Sequence, residues 1–450
     1  MSYITPGQKE WLQMLYNDKT YLEMLESFGT FVEKKVLPAE LDTEVHRAKN
    51  PLSEIKSILK DKNRFDWETI EQSINEIKSQ QKIPEEVYQQ IVESGLVGMT
   101  FSEELGGLGL PYPLFICFLE TLGKASPSIG VRYAISNTVC EGLRFNHEAG
   151  DLSDYCLATL KQIIFGEKLA AFCLTEVSAS GSNIMQEMTT RAVSNSNGNG
   201  YILNGSKFWI TNAETANVYA IFARTSDDNS NGISLFLVER ETPGFRVGQV
   251  FEKRVVENSS LGELVLKDVE IPMQNRVGNV GEGMRYAIRM LNSGRITIAA
   301  LATGLAQRAF EEFLENAVEG KKAGQKHLIE YDRTKARIAE LSMEINAARD
   351  MTLRAAWLKE QFDLDPDNQN LLWSYVIASN NAKLKASLIA QKSCDYLIKS
   401  WGASSVVKEN RAMKHYLDSW LYYFGEAVPE VLENTIAHME IKKYKSAKGL

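Results

Sequence analysis

Apolar residues early in the chain recur at helical spacing: Phe28, Val32, Val36 and Leu37, then Val87, Ile91 and Leu96. That spacing lays them along one face of a 3.6-residue helix and predicts a helical N-terminal region over 1–167. Between the two stripes, at about 40–82, LSEIKSILKDKN and WETIEQSINEIKSQQK keep apolar positions three and four apart in a charged background. This predicts an extra helical hairpin on the surface. From 168 to 275 the period changes. SNSNGNGYILNGSKFWITNAETANVYAIFART and GISLFLVERETPGFRVGQVF read as short strands broken by Asn-Gly and Gly-Ser turns, and SSLGELVLKDVEIP closes the run. The expectation is an antiparallel β domain of ordinary domain size.

Helical spacing returns over 276–450. RMLNSGRITIAALATGLAQRAFEEFLENA carries Ala299, Ala300, Ala302, Gly304 and Ala306, small residues that suit close helix packing. Ile338, Leu341, Ile345, Ala348 and Leu353 form one stripe, and Trp373, Val376, Ile377, Leu384, Leu388 and Ile389 another. The fold class is therefore α+β: N-terminal helices, a middle β domain and a C-terminal helical bundle. No repeat or low-complexity segment interrupts it. That order alone names no function.

Composition narrows the class. The chain has 450 residues, 44% hydrophobic and 24% charged, which is globular and too long for one core. A net charge of -8 gives no electrostatic footprint for nucleic acid. No apolar run reaches the ~18 residues of a membrane span. The N-terminus, MSYITPGQKEWLQMLYNDKTYLEML, lacks the basic start and apolar core of a signal, so a cytoplasmic location is expected. Cys117, Cys140, Cys156, Cys173 and Cys394 are scattered without a CxxC pair, which fits reduced thiols. His147-Glu148 has no second histidine at the spacing of a zinc motif, and no metal site is expected.

Several stretches together resemble the flavin-dependent acyl-CoA dehydrogenase superfamily over nearly the whole chain. They are PEEVYQQIVESGLVGMTFSEELGGLGLP, AFCLTEVSASGSN at 171–183, YILNGSKFWITNAETANVYAIFART at 201–225, and VGNVGEGMRYAIRMLNSGRITIAALATGLAQ at 277–307. The resemblance implies that family's fold, with a four-helix-bundle-like C-terminal domain, and an FAD cofactor. It places Phe172, Leu174, Thr175, Gly181 and Ser182 on the flavin, with the Leu174 N–H and Thr175 hydroxyl at its polar edge and Ser182 also near the CoA moiety. Trp209 would cover one flavin face, with Ile210 beside it and the Thr211 hydroxyl near N5. Short donors and an apolar cover suit a cofactor that must hold charge on reduction and be shielded from water. Asn292 and Arg295 would lie near the acyl-CoA.

The implied reaction removes an α-proton to a carboxylate and a β-hydride to flavin. The α C–H is a poor acid, so the base needs a pKa raised by burial. Relatives carry that Glu either late in the chain or on the first long C-terminal helix, just before the residue matched by Arg295. Here the helix position is Gly294. The late motif reads FGEAVPEVLENTIAH and supplies Glu426, set among Phe424, Ala427 and Val428.

Three departures fall on contacts that relatives make across a subunit interface. The Gly-Thr after the base is Ala427-Val428, followed by Pro429. The R-x-Q-F-G motif is GKKAGQK, with Gly320 for the Arg and Ala323 for the Phe, leaving Lys321 or Lys322 as cations. The late G-G-x-G is Gly402-Ala403-Ser404-Ser405. The leading expectation is α,β-dehydrogenation of an acyl-CoA or acyl-carrier-protein thioester by a homodimer or homotetramer, with electron-transferring flavoprotein as acceptor. The alternative is a half-catalytic or non-catalytic subunit of a hetero-oligomer with an incomplete flavin site. A flavin monooxygenase on the same fold is disfavoured by Glu426, because those relatives lack the base.

Overall fold

A computed structural model describes residues 3–48, 82–179, 183–227, 232–320 and 324–449. The first helix, α1 (Pro6–Tyr16), opens on a capping box in which Thr5 and Gln8 satisfy each other's backbone amides, with Pro6 at the first position. Asp18 caps α2 (Lys19–Phe31), which passes through one π turn, Val32–Val36, into α3 (Leu37–Ala48). Pro38 follows that wide turn; it offers no N–H and crowds the carbonyl four residues back. An extra helical hairpin on the surface is expected at about 40–82. Residues 40–48 finish α3, where Glu40 and Thr43 are each 1% exposed. Both amphipathic runs expected to form it lie outside the described residues.

Four helices complete the N-terminal part: α4 (Glu85–Glu93), α5 (Tyr112–Ala125), α6 (Pro127–Glu148) and α7 (Asp154–Ile164). Ser126 ends α5 and caps α6, its hydroxyl accepting from the Ile129 amide at 3.3 Å.

The middle part is one eight-stranded sheet: β1 (Ala170–Cys173), β2 (Arg191–Ser194), β3 (Gly200–Thr211), β4 (Val218–Arg224), β5 (Ile233–Glu239), β6 (Phe245–Val250), β7 (Leu261–Pro272) and β8 (Arg276–Val277). The order is β6-β7-β3-β2-β4-β5-β8, with β1 beside β4. Most pairings are antiparallel, as the turn pattern predicts, but β1 and β2 both run parallel to β4. Turn residues report only hairpins, and a parallel pairing is made between segments far apart in sequence. Every residue of β4 is buried, since helices cover one sheet face and a second core fills the other. Alternate side chains divide accordingly: Val218, Ala220 and Phe222 join the helical core, Tyr219, Ile221 and Ala223 the other.

The C-terminal part holds α8 (Gly283–Glu319), α9 (Asp332–Leu364), α10 (Gln369–Trp401), α11 (Ala412–Phe424) and α12 (Pro429–Lys448). The α8 helix packs on α5, α6, α9 and α10. Its small residues let backbones touch. A β-carbon on Gly304 would stand 2.1 Å from the Glu120 carbonyl oxygen, and one on Gly123 would stand 2.4 Å from that of Leu301. No helix among the described residues is long and apolar enough to cross a membrane.

Candidate active site

The segment bearing the first motif leaves the sheet where a strand would continue. Strand β1 tracks β4 from Ala170 opposite Val218 to Cys173 opposite Ile221, and the same track resumes only at Arg191, opposite Arg224. The intervening residues are an excursion pinned by a buried ion pair. Lys207, wholly buried, donates to Glu176 Oε1 at 2.8 Å and to the Leu174 carbonyl at 3.2 Å. Glu176 also accepts from the Thr189 amide at 2.7 Å, the Thr189 hydroxyl at 2.6 Å and the Thr190 amide at 3.0 Å. Burial alone would raise the Glu176 carboxyl. The Lys207 charge and these donors outweigh burial and hold it down to about 2.

The second motif meets the excursion side by side, the Phe208 amide donating to the Thr175 carbonyl at 2.9 Å. Register between β3 and β7 slips between Lys207 and Ile210, and Trp209 sits in that irregularity with φ +58°. A bulge of this kind re-aims a side chain. The Trp209 indole is 58% exposed, its ring 5.0 Å from that of Phe251. Thr175 and Thr211 are half-buried, and neither hydroxyl has a hydrogen-bond partner among the described residues. Leu174 and Ile210 turn their side chains into the core, and Phe172 packs on Phe222 with ring centroids 5.2 Å apart. Gly181 and Ser182 lie outside the described residues. Two unpartnered hydroxyls and an exposed flat indole suit a planar heteroaromatic ring with carbonyl and ring-nitrogen acceptors on its edge.

Glu426 comes from the turn between α11 and α12 and lies over Gly294 on α8. A β-carbon at Gly294 would stand 2.8 Å from both Cδ and Oε1 of Glu426 and 2.9 Å from its Oε2. The two places at which relatives carry a base thus converge on one volume. Glu426 Oε2 is fully enclosed and without a hydrogen-bond partner. Burial raises the carboxyl to about 7, against the lowering fields of Arg295 and Lys383.

The turn is strapped from both sides by cations. Arg295 Nε donates to the Glu426 carbonyl at 3.2 Å and Arg295 Nη1 to Asn292 Oδ1 at 2.8 Å. Asn292 therefore orients Arg295, and Arg295 is turned to the backbone of Glu426. Lys383 of α10 donates to the carbonyls of Tyr423 at 3.0 Å and Ala427 at 2.5 Å, on either side of Glu426. Burial lowers the Lys383 ammonium to about 7. The backbone here is left-handed, with φ +56° at Glu426 and +97° at Ala427.

Sequence reasoning missed Lys383, Lys207 and Glu176. Glu176 stood inside the first motif and went unused. A lone lysine such as Lys383 on a helix face of small residues was a signal available to read. At one of the altered motif positions, a β-carbon on Gly320 would come 2.3 Å from the Asn316 carbonyl oxygen, so this backbone admits no side chain there. Residues 321–323 lie outside the described residues. Gly402–Val406 forms a 3-10 turn with Gly402 at φ +59°. No group of three or more His, Cys, Asp or Glu able to hold a metal ion occurs among the described residues.

Comparison with known proteins gives three family-profile matches. Residues 52–149 match "Acyl-CoA dehydrogenase, N-terminal domain", 171–269 match "Acyl-CoA dehydrogenase, middle domain" and 281–440 match "Acyl-CoA dehydrogenase, C-terminal domain". A protein of Bacillus subtilis (strain 168) named as a probable acyl-CoA dehydrogenase is 33% identical over 363 residues, covering 80% of this chain and 91% of that protein. Butyryl-CoA dehydrogenase of Megasphaera elsdenii superposes with a TM-score of 0.74 at 25% identity, over 97% of this chain and 99% of the other. A glutaryl-coenzyme A dehydrogenase in complex with glutaryl-CoA superposes with a TM-score of 0.76 at 25% identity, over 94% and 96%.

Proposed function

The chain belongs to the acyl-CoA dehydrogenase family, and on that premise we propose that it oxidises the α,β bond of an acyl thioester with FAD as cofactor and Glu426 as base. The observation that carries this reading is the Glu426 carboxylate over Gly294, with one oxygen enclosed and unpartnered and its pKa raised by burial to about 7. Such a group is deprotonated often enough at neutral pH, yet basic enough, to take an α-proton from a thioester. FAD, when bound, supplies the acceptor for the β-hydride, so the pair removed from the substrate is one proton and one hydride, leaving an α,β-unsaturated thioester.

The chain's own residues do the holding. The Lys207–Glu176 pair fixes the excursion that presents Thr175, and the bulge at Trp209 turns an apolar ring outward where water must be kept from the reacting face. Arg295 and Lys383 hold the base's turn through carbonyls and leave its carboxylate free of direct ion pairs. Reduced cofactor needs an oxidant. Electron-transferring flavoprotein is the acceptor this reading carries, supported by a solved chain titled as part of an electron-transferring flavoprotein study from Acidaminococcus fermentans, at 25% identity and a TM-score of 0.77.

The test is the visible spectrum of the purified chain. Flavin bands near ~370 and ~450 nm that bleach anaerobically on addition of an acyl-CoA are expected. A protein that stays colourless with added FAD would overturn the reading.

A further inference from the structure

Helix α6 touches α8 at two fixed points. A β-carbon on Gly130 would stand 2.3 Å from Leu301 Cδ2, and one on Gly142 would stand 1.9 Å from Met290 Cε. The helices are thus antiparallel, and interpolation between these points sets the Asn137–Thr138 step level with Gly294. Asn137 also shares the face of Gly130, since positions seven apart nearly eclipse on a helix. Gly294 is likewise seven residues from Leu301, so Asn137 and Gly294 sit on the faces by which the two helices meet at Gly130 and Leu301.

Asn137 is 2% exposed, and neither its Oδ1 nor its Nδ2 has a hydrogen-bond partner. Buried amides are seldom left so, because the lost hydration is not replaced. Other polar side chains close to it in sequence are spoken for. Ser136 accepts from the Ala170 amide, and Thr138 donates to the Ala134 carbonyl. Asn137 and Glu426 Oε2 are therefore unpartnered buried polar groups at one level of α8, contributed by different elements. A plain hydrocarbon chain threaded there would leave the amide unpartnered; a chain bearing a hydroxyl would satisfy it, since a hydroxyl both donates and accepts, as the amide does.

We infer that Asn137 is a specificity-determining residue, and that the acyl groups this chain selects carry a neutral hydrogen-bonding substituent of the hydroxyl kind. The inference rests on the acyl-thioester reading above. No ionised substituent is needed, because the amide is neutral and Arg295 is already committed to Asn292 and the Glu426 carbonyl.

Two nearly isosteric pairs test it on the flavin-loaded protein: 4-hydroxybutyryl-CoA against pentanoyl-CoA, and 5-hydroxypentanoyl-CoA against hexanoyl-CoA. Binding by calorimetry and the rate of anaerobic flavin bleaching are both measured, for wild type, Asn137→Leu and Asn137→Ser. Wild type should favour the hydroxylated member of at least one pair by about tenfold or more, because a site built to hydrogen-bond rejects the analogue lacking the group. Asn137→Leu should reverse that preference, and Asn137→Ser should retain part of it; the serine variant serves if the leucine variant fails to fold. Equal or tighter handling of the plain chains by wild type, or a ratio unmoved by both variants, would overturn the assignment. Binding with the expected ratio but no bleaching by any thioester would instead sink the dehydrogenase reading and leave Asn137's role standing.

Discussion

Glu426 keeps its position only because residue 294 is glycine: the carboxylate fills the volume that any side chain there would claim. Gly294→Ala should therefore push the carboxylate aside while α8 itself gains about 1 kcal/mol of helix propensity. The expected result is a thioester-dependent rate lowered at least ~tenfold, since a misplaced base loses alignment, with a melting temperature close to wild type. Glu426→Gly combined with Gly294→Glu should return a carboxylate to the same volume from the helix and recover activity relative to Glu426→Gly alone. Rates of flavin bleaching across the three variants and wild type decide it.

Glu426→Gln should bind thioester but oxidise it ~10²–10⁴-fold more slowly, the usual worth of a general base. In wild type, kcat/KM should rise with pH through an acid limb centred near 7, the value to which burial raises this carboxyl. Stability should move the opposite way. The folded pKa lies above the ordinary 4.5, so the folded state holds the proton more tightly. Its stabilising effect is complete below about 4.5 and is lost as pH climbs to about 7. The glutamine variant has no such proton, so its melting temperature should gain on wild type across that interval. A difference flat in pH would contradict the raised pKa.

Ala427 holds φ +97°, a conformation that costs a residue with a β-carbon and costs glycine little. Ala427→Gly should stabilise the protein by about 1 kcal/mol, read from denaturant unfolding. No gain, or a loss, would mean the turn is not strained.

Lys207 and Glu176 neutralise each other where water cannot reach. Removing one partner leaves an uncompensated charge, so Lys207→Met should destabilise by about 3–5 kcal/mol. Flavin affinity should fall with it, because the excursion carrying Thr175 loses its anchor. Lys207→Met with Glu176→Leu should recover much of the stability. Thermal unfolding and flavin titration of both proteins separate the two effects.

The fold was legible wherever a local period was strong. The Ala299–Ala306 stretch read as a tight helix contact because small residues at helical spacing have that one use, and the strands around Trp209 read from turns and alternation. The three altered stretches and Glu426 stood out through the motifs they interrupt or complete. What escaped was set by distant partners. The parallel pairing of β1 and β2 with β4 leaves no turn between the paired strands. The role of Arg295 depends on the Glu426 carbonyl 131 residues away, and that of Lys383 on a turn 40 residues on. Glu40, an acid in a charged run, is buried by Ser126 and Asn258, which come from elsewhere in the fold, so its burial could not be read from the run itself.

Helix α6 carries two unrelated duties on two faces. The Arg132 carbonyl and Ser136 hydroxyl receive Asn212 and the Ala170 amide from the sheet, while Gly130 and Gly142 meet α8. One added residue in its middle would advance everything beyond by ~1.5 Å and turn it by ~100°, and no local adjustment could satisfy both faces again. The length of α6 is therefore fixed: it acts as a gauge block between the sheet and the helix that lies beneath Glu426. Insertions and deletions should be rejected here, while a substitution at Glu148, the one exposed position of α6, is tolerated.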